Sequence, residues 1–203
     1  MTAGSLLLLR HGTTDWNNDG RFQGHADVPL NAEGLALAER TAAALAGCRP
    51  ARVVSSDLSR ARETAQAVAA VTGVDVEVDP RLREVDVGTW AGLDMETVGR
   101  LEPDFWPALR QGRDFRRSPE GETATESGER VAAVLRDYAA AAAGDEVVLA
   151  VGHGLSLRVG ALLLMGLDYS HARLFGGLAN CGWIELEPGE AYWRLRAYNR
   201  VAG

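Results

Sequence analysis

Apolar positions along the chain fall into short, dense runs separated by longer alanine-rich stretches with one apolar face. Leu6 to Leu9 is a continuous apolar run, the pattern of a strand buried on both faces, and Val147 to Val151 is a second. Arg52 to Ser55 and Val74 to Val78 read as further short strands. Asn31 can cap a helix in which Leu35, Ala38, Ala42 and Leu45 form one stripe, with Gly47 as its stop. Asp57 reads as the cap of an alanine-rich helix running to Thr72. The order strand, helix, strand, helix, strand predicts a parallel sheet with right-handed crossovers.

The second half is less regular. Pro80 to Gly92 has no sustained period and carries Arg81, Arg83, Glu84, Asp86 and Trp90 among glycines, a composition expected of a functional loop. Asp94 to Gly112 is weakly helical and broken by Pro103 and Pro107, and Arg113 to Gly121 is a charged loop. Helical spacing returns from Glu126 to Ala143 and again from Leu155 to Leu164. Trp183 to Leu186 and Trp193 to Ala197 read as closing strands, joined as an edge hairpin across Pro188-Gly189. No repeat or linker divides the chain, so residues 1–203 are expected to form a single domain.

Composition narrows the function. A chain of 203 residues can bury a core without metal or disulfide support. Its 21 basic and 28 acidic side chains give a net charge of -7, which repels a polyphosphate backbone and argues against nucleic acid. A few converging arginines can still hold one small anion. The two cysteines, Cys48 and Cys181, form no CxxC pair and suggest neither a thiol metal site nor a disulfide framework. Leu6 to Leu9 is too short for a signal-peptide core, and no run reaches membrane-spanning length, so a cytoplasmic protein with no membrane contact is expected.

The chemistry concentrates at two strand ends. The first strand runs into Arg10-His11-Gly12, and the strand at Val147 to Val151 runs into Gly152-His153-Gly154. A histidine at one strand end is unremarkable, but parallel neighbours would bring His11 and His153 to one sheet edge, where open α/β sheets bind ligands. Arg60, in the first turn of the helix after Ser55, can reach the same edge. With Arg10 it offers two guanidinium forks for one phosphoryl group.

These pieces resemble the histidine phosphatase superfamily, which includes cofactor-dependent phosphoglycerate mutases. The match runs in family order through "LLLLRHGTTDWN", "RFQGHADVPLNAEG", "SSDLSRARETA", "LREVDVGTWAG" and "VGHG". The resemblance implies a three-layer α/β/α sandwich with a mostly parallel central sheet and an antiparallel edge strand. It implies that His11 is transiently phosphorylated, with Arg10, Arg60 and His153 around the phosphate and Glu84 as proton donor. Thr14, Asn17, Gln23 and Gly24 are placed near the ligand.

The chemistry is coherent on its own terms. A neutral imidazole attacks phosphorus in line while fixed cations stabilise the equatorial oxygens. An anionic substrate favours the protonated form of a nearby carboxylic acid, which suits a proton donor to the leaving alkoxide. On residue type alone Asp86 competes with Glu84; the family pattern selects Glu84. Gly154 opens a helix whose amino end favours anions. No step requires a metal or other cofactor.

Two departures from the family pattern, Thr13 in place of Gln or Glu and Ala91 in place of Glu, touch substrate preference rather than the proposed chemistry. A mutase must shield its phosphohistidine from water, and family mutases do so with a long insertion after the tryptophan motif and a tail after the last strand. Here Leu93 to Glu122 is short and the sequence stops at Gly203, so a phosphomonoesterase is expected in preference to a mutase. Arg116 and Arg117 are the counter-signal: they would either bind a substrate carboxylate or form a solvated loop. The carboxyl region, "FGGLANCGWIEL" and "WRLRAYN", resembles actinobacterial phosphatases of glucosyl-phosphoglycerate and raises sugar or glycerate phosphates as substrates.

Other readings have less support. A metal hydrolase using His11, His25 and His153 lacks any HExxH or HxH motif. A non-catalytic phosphate-binding module would need neither His11 nor Glu84. Trp16, Trp90 and Trp106 are either core or pocket wall. His25 follows Gln23-Gly24 and is within reach of substrate, whereas His171 reads as surface. A free strand edge would allow a homodimer.

Overall fold

The computed structural model of the chain describes residues 4–203. The apolar runs become a six-stranded sheet built from β1 (Ser5–Arg10), β2 (Arg52–Ser55), β3 (Val76–Val78), β4 (Val147–Gly152), β5 (Trp183–Glu187) and β6 (Arg194–Arg200). The strand order is β3-β2-β4-β1-β5-β6. Strands β1 to β4 run parallel, β5 is antiparallel to β1, and β6 is antiparallel to β5. The antiparallel strand therefore sits one place in from the edge, and β6 outside it runs in the direction of β1.

Alternation along β1 explains the layers. Leu6 and Leu8 point to one face with Val148 and Ala150, beneath α6 (Ala124–Ala141) and α7 (Gly154–Leu164). Leu7 and Leu9 point to the other with Leu149 and Val151, beneath α2 (Ala32–Leu45) and α3 (Ser59–Thr72). Both faces being covered is why the strands read as unbroken apolar runs. Helices α6 and α7 approach closely because Gly128 and Gly160 lack side chains: a Cβ at Gly128 would lie 2.4 Å from Val159 Cγ1, and one at Gly160 2.7 Å from Val131 Cγ1.

A third cluster lies above the carboxyl ends of the strands. Val85, Val87, Trp90, Val98 and Phe105 are buried there, with Phe22, Leu109 and Phe115 packed against them. It is assembled from the short α4 (Met95–Leu101) and α5 (Phe105–Gln111) together with the Pro80 to Gly92 segment, which forms 3-10 turns at Pro80–Leu82 and Gly88–Trp90. Its rings pack at centroid distances of 5.8 to 6.2 Å, mostly edge to face. The remaining helix, α1 (Asp15–Asn18), is a single turn after β1.

Several local expectations need correction. Asp57 does not cap α3: the helix begins at Ser59 with no side-chain cap, and Asp57 is held by a bidentate contact with Arg83. Leu35 stands 47% exposed at the outer margin of the α2 stripe. Gly47 does not stop α2; the chain continues through a 3-10 turn, Ala46–Cys48, and the left-handed residue is Arg49 at φ 45°. The strand expected from Val74 begins only at Val76. Helix α6 starts two residues before Glu126, because Thr123 caps it and Glu126 closes a capping box back onto Thr123. Pro103 does separate two helices, but Pro107 lies inside α5 as its third residue, where an amide has no intrahelical acceptor to lose.

Candidate active site

Register between β1 and β4 creates the site. Arg10 lies opposite Gly152, so the next residues, His11 and His153, leave adjacent parallel strands together. Their ring centroids are 5.1 Å apart. The turn after His11 is tight against neighbours: the Gly12 N–H donates to Thr64 Oγ1 at 3.0 Å, and a Cβ at Gly12 would strike the Gly34 carbonyl at 2.6 Å.

His11 is buried, and its Nδ1 lies 2.6 Å from the Gly12 carbonyl. A carbonyl only accepts, so Nδ1 carries the proton and Nε2 keeps its lone pair. Burial, reinforced by the charges of Arg10 and Arg60, holds the ring pKa well below the usual histidine value. His153 is fully buried and likewise held low, by burial first and then by Arg60, His11 and Arg10. Its Nδ1 accepts from Arg60 Nε at 3.3 Å, which puts the proton on Nε2, 3.0 Å from Ser56 Oγ.

Both arginines are fixed. Arg60 is fully buried and donates to the Ala26 and Gly24 carbonyls at 2.7 and 2.8 Å; burial brings its pKa down to about 10. Arg10 donates to the Leu178 carbonyl at 2.6 Å, while its buried Nε has no acceptor among the described residues. A buried cationic N–H without a partner is a donor prepared for an anion. Gly154 makes room for it, since a Cβ there would press on Arg10 Nε at 3.2 Å.

The position of Glu84 corrects one expectation. The amino end of α7 does not stand open to phosphate, because the Glu84 carboxylate accepts from Leu155 N at 3.2 Å and Ser156 N at 2.9 Å. The backbone carrying Glu84 is clamped as well: its carbonyl accepts from His25 Nε2 at 2.8 Å and from Arg130 at 3.2 Å. Arg130 also donates to the Arg81 and Arg83 carbonyls and pairs with Glu122. Asp86, the competing acid, accepts from Gly88 N and lies 3.6 Å from His25 Nδ1, away from the cavity wall.

Arg10, His11, Asn17, Gln23, Gly24, Arg60 and Glu84 line one cavity of about 270 Å³. His153, Thr14 and Gly154 are not among its lining residues; His153 packs against His11 and Gly154 against Arg10, both of which line it. Thr14 is fully buried and caps α1, exchanging hydrogen bonds with Asn17. Trp90 serves both core and cavity wall, while Trp16 and Trp106 do not reach the cavity. His25 touches the Glu84 carbonyl rather than the cavity, and His171 is half-buried beside Asp168. Among the described residues, no group of three or more His, Cys, Asp or Glu side chains is placed to hold a metal ion.

Arg116 and Arg117 separate in role. Arg116 is exposed and pairs with Glu126 and the Gly121 carbonyl. Arg117 is not in a solvated loop: it is buried on the cavity wall, 2.9 Å from Asp114, with its guanidinium 4.4 Å from the Phe115 ring centroid. Asp114 is occupied in turn by Arg117 and by the Ala124 and Thr125 amides, which hold its carboxyl below the usual range despite its burial.

Two contributors escaped sequence reasoning. Asn180 Nδ2 lies 3.2 Å from the His11 carbonyl, 2.9 Å from the Gly12 carbonyl and 3.2 Å from Asn17 Oδ1, so one amide ties the carboxyl region to the loop that carries His11. Arg130 is the other. Both act over more than forty residues of sequence, and neither sits in a local pattern that marks it.

Comparison with known proteins gives the family. The family model described as the histidine phosphatase superfamily (branch 1) matches residues 6–201. A "probable phosphoglycerate mutase GpmB" of Enterobacter sp. (strain 638) is 34% identical, over 93% of this chain and 86% of its own. The glucosyl-3-phosphoglycerate phosphatase of Mycolicibacterium vanbaalenii is 33% identical, over 97% of this chain and 95% of its own. Among solved structures, a mycobacterial glucosyl-3-phosphoglycerate phosphatase in complex with VO3 superposes with a TM-score of 0.88 at 33% identity, covering 97% of this chain and 99% of that one. The chain belongs to the histidine phosphatase superfamily.

Proposed function

We propose that the protein hydrolyses small phosphate monoesters through a phosphohistidine on His11. The observation that carries this reading is the state of His11: neutral, with Nδ1 donating to Gly12 and Nε2 free beside two fixed arginines. Nε2 attacks phosphorus as the ester bond breaks, and the Gly12 carbonyl offsets the positive charge that builds on the ring. Arg10 and Arg60 stabilise the equatorial oxygens. The proton on His153 Nε2, shared with Ser56 in the free protein, is available to a phosphoryl oxygen.

Glu84 gives its proton to the departing oxygen. It then takes one from the water that attacks phosphorus, releasing inorganic phosphate and restoring His11. Asn17, Gln23 and Gly24 complete the phosphoryl end of the cavity. The relatives named as phosphatases of a phosphorylated glycerate support a small phosphorylated metabolite as substrate.

The relative named as a mutase keeps isomerisation as the second reading. A mutase must hold a bisphosphorylated intermediate, and the three arginines that could grip a further anion, Arg21, Arg116 and Arg117, are already paired with Asp19, Glu126 and Asp114. The test is phosphate release by metal-free protein from phosphorylated glycerates, sugars, nucleotides and an aryl phosphate, with His11→Ala as control. His11-dependent release supports the phosphatase. No release, with 3-phosphoglycerate isomerised once 2,3-bisphosphoglycerate is added, would replace it with the mutase.

A further inference from the structure

The phosphoryl end occupies only part of the cavity. Beyond it the wall is apolar: Phe22, Met95, Leu109, Phe115 and Leu155 face the same space as His11 and Glu84. Four of the five are half-buried and Met95 is exposed, so they form a surface that a ligand can touch rather than a sealed core. From this we infer a specificity of the site: it prefers phosphate monoesters whose leaving group carries an apolar ring over esters of bare polyols. The inference rests on the phosphatase reading given above.

The polar groups on this wall do not reverse that preference. Arg117 has its charge met by Asp114 and its flat face on Phe115, so it adds a planar surface more than a free cation. Arg21 is directed at Asp19, 3.3 Å away on the exposed surface. Gln23, next to the Gly24 whose carbonyl accepts from Arg60, keeps a buried Oε1 without a partner among the described residues, one acceptor against an otherwise apolar wall. A polyol would bring hydroxyls to a surface with few partners and lose hydrogen bonds to water, at a cost for each one unmet. A phenyl or comparable ring instead removes apolar area from water on both partners.

The experiment must separate recognition from leaving-group reactivity, so the esters compared are primary alkyl phosphates: 2-phenylethyl phosphate, glycerol 3-phosphate and glucose 6-phosphate. The expected result is a kcat/KM for 2-phenylethyl phosphate at least about tenfold above the other two, the scale of burying one ring. Met95→Glu places a carboxylate on the apolar wall at an exposed position, the first residue of α4, where an acidic side chain suits the helix end, and should lower that ratio severalfold. Equal or better kcat/KM for the polyol esters, or a ratio unmoved by Met95→Glu, would overturn the preference while leaving His11-dependent hydrolysis standing. Absence of hydrolysis of all three would instead count against the phosphatase reading itself.

Discussion

The carboxylate of Glu84 accepts from the backbone N–H of Ser156 at 2.9 Å, across 72 positions of sequence. The amino end of α7 is thereby filled by a carboxyl group from the irregular segment after β3, at a place where a helix end would otherwise attract substrate. Three backbone donors, Val85, Leu155 and Ser156, hold this carboxyl group, and the two from α7 tie it to His153, the residue just before that helix, whose ring packs against His11.

Glu84→Gln keeps the shape and removes the proton. Alkyl phosphates should lose roughly a hundredfold or more in kcat, the usual scale of general acid catalysis, while 4-nitrophenyl phosphate, whose leaving oxygen needs little help, should lose far less. Steady-state rates on the two substrate types check this. An equal loss on both would take Glu84 out of the acid role.

Arg130 is expected to act through Glu84. It touches the carbonyls of Arg81, Arg83 and Glu84, so Arg130→Met should let that segment drift and lower kcat for alkyl phosphates by roughly tenfold, with KM little changed. Arg130→Lys should recover part of the loss. A variant that merely lowered stability would reduce folded protein without changing the ratio of alkyl to aryl rates.

Asn180→Ala removes an amide that contacts the His11 and Gly12 carbonyls and Asn17. Stability should fall by about 1–2 kcal/mol, as for a part-buried donor whose acceptors are left unmet. Urea unfolding measures this, and phosphate release should fall with it because the nucleophile loop loses its tie. Unchanged stability and activity would show that the contact carries nothing.

Both site histidines have pKa values pushed below the ordinary 6.5 by burial, which fixes the sign of a pH effect. As pH falls below 6.5 the unfolded chain takes up these protons before the folded one does. Their contribution is therefore complete above pH 6.5 and is lost as pH falls toward the folded values, at up to about 1.4 kcal/mol per pH unit for each histidine. The carboxylates held low by arginines and amides, such as Asp57 and Asp114, contribute only nearer pH 4, so urea unfolding from pH 7.5 to 5.0 isolates the histidines. A slope that His11→Ala does not reduce would contradict a buried neutral His11.

Much of this was legible in the sequence because it is local. Leu6 to Leu9 and Val147 to Val151 are unbroken apolar runs, and each histidine follows its strand directly, so strand pairing alone joins them. Arg60 was readable from its place in the first turn of α3. What was hidden depended on distant partners. Asp57 has the composition of a cap, yet Arg83 outcompetes the helix amides for it. Arg117 reads as loop charge although its own partners, Asp114 and Phe115, lie only three and two residues before it; what the sequence hides is that Asp114 also takes the distant Ala124 and Thr125 amides, which draws this segment inward. The filling of the α7 end by Glu84 could not be read from either segment alone.

The central claim is a covalent phosphoryl group on His11, and the most direct measurement is rapid quenching of the enzyme with a labelled aryl phosphate, followed by peptide mapping. The account predicts an acid-labile, alkali-stable phosphoryl group on the peptide containing His11, formed at least as fast as steady-state turnover and absent in His11→Ala. Steady hydrolysis with the label on no histidine, or undiminished turnover by His11→Ala, would contradict it.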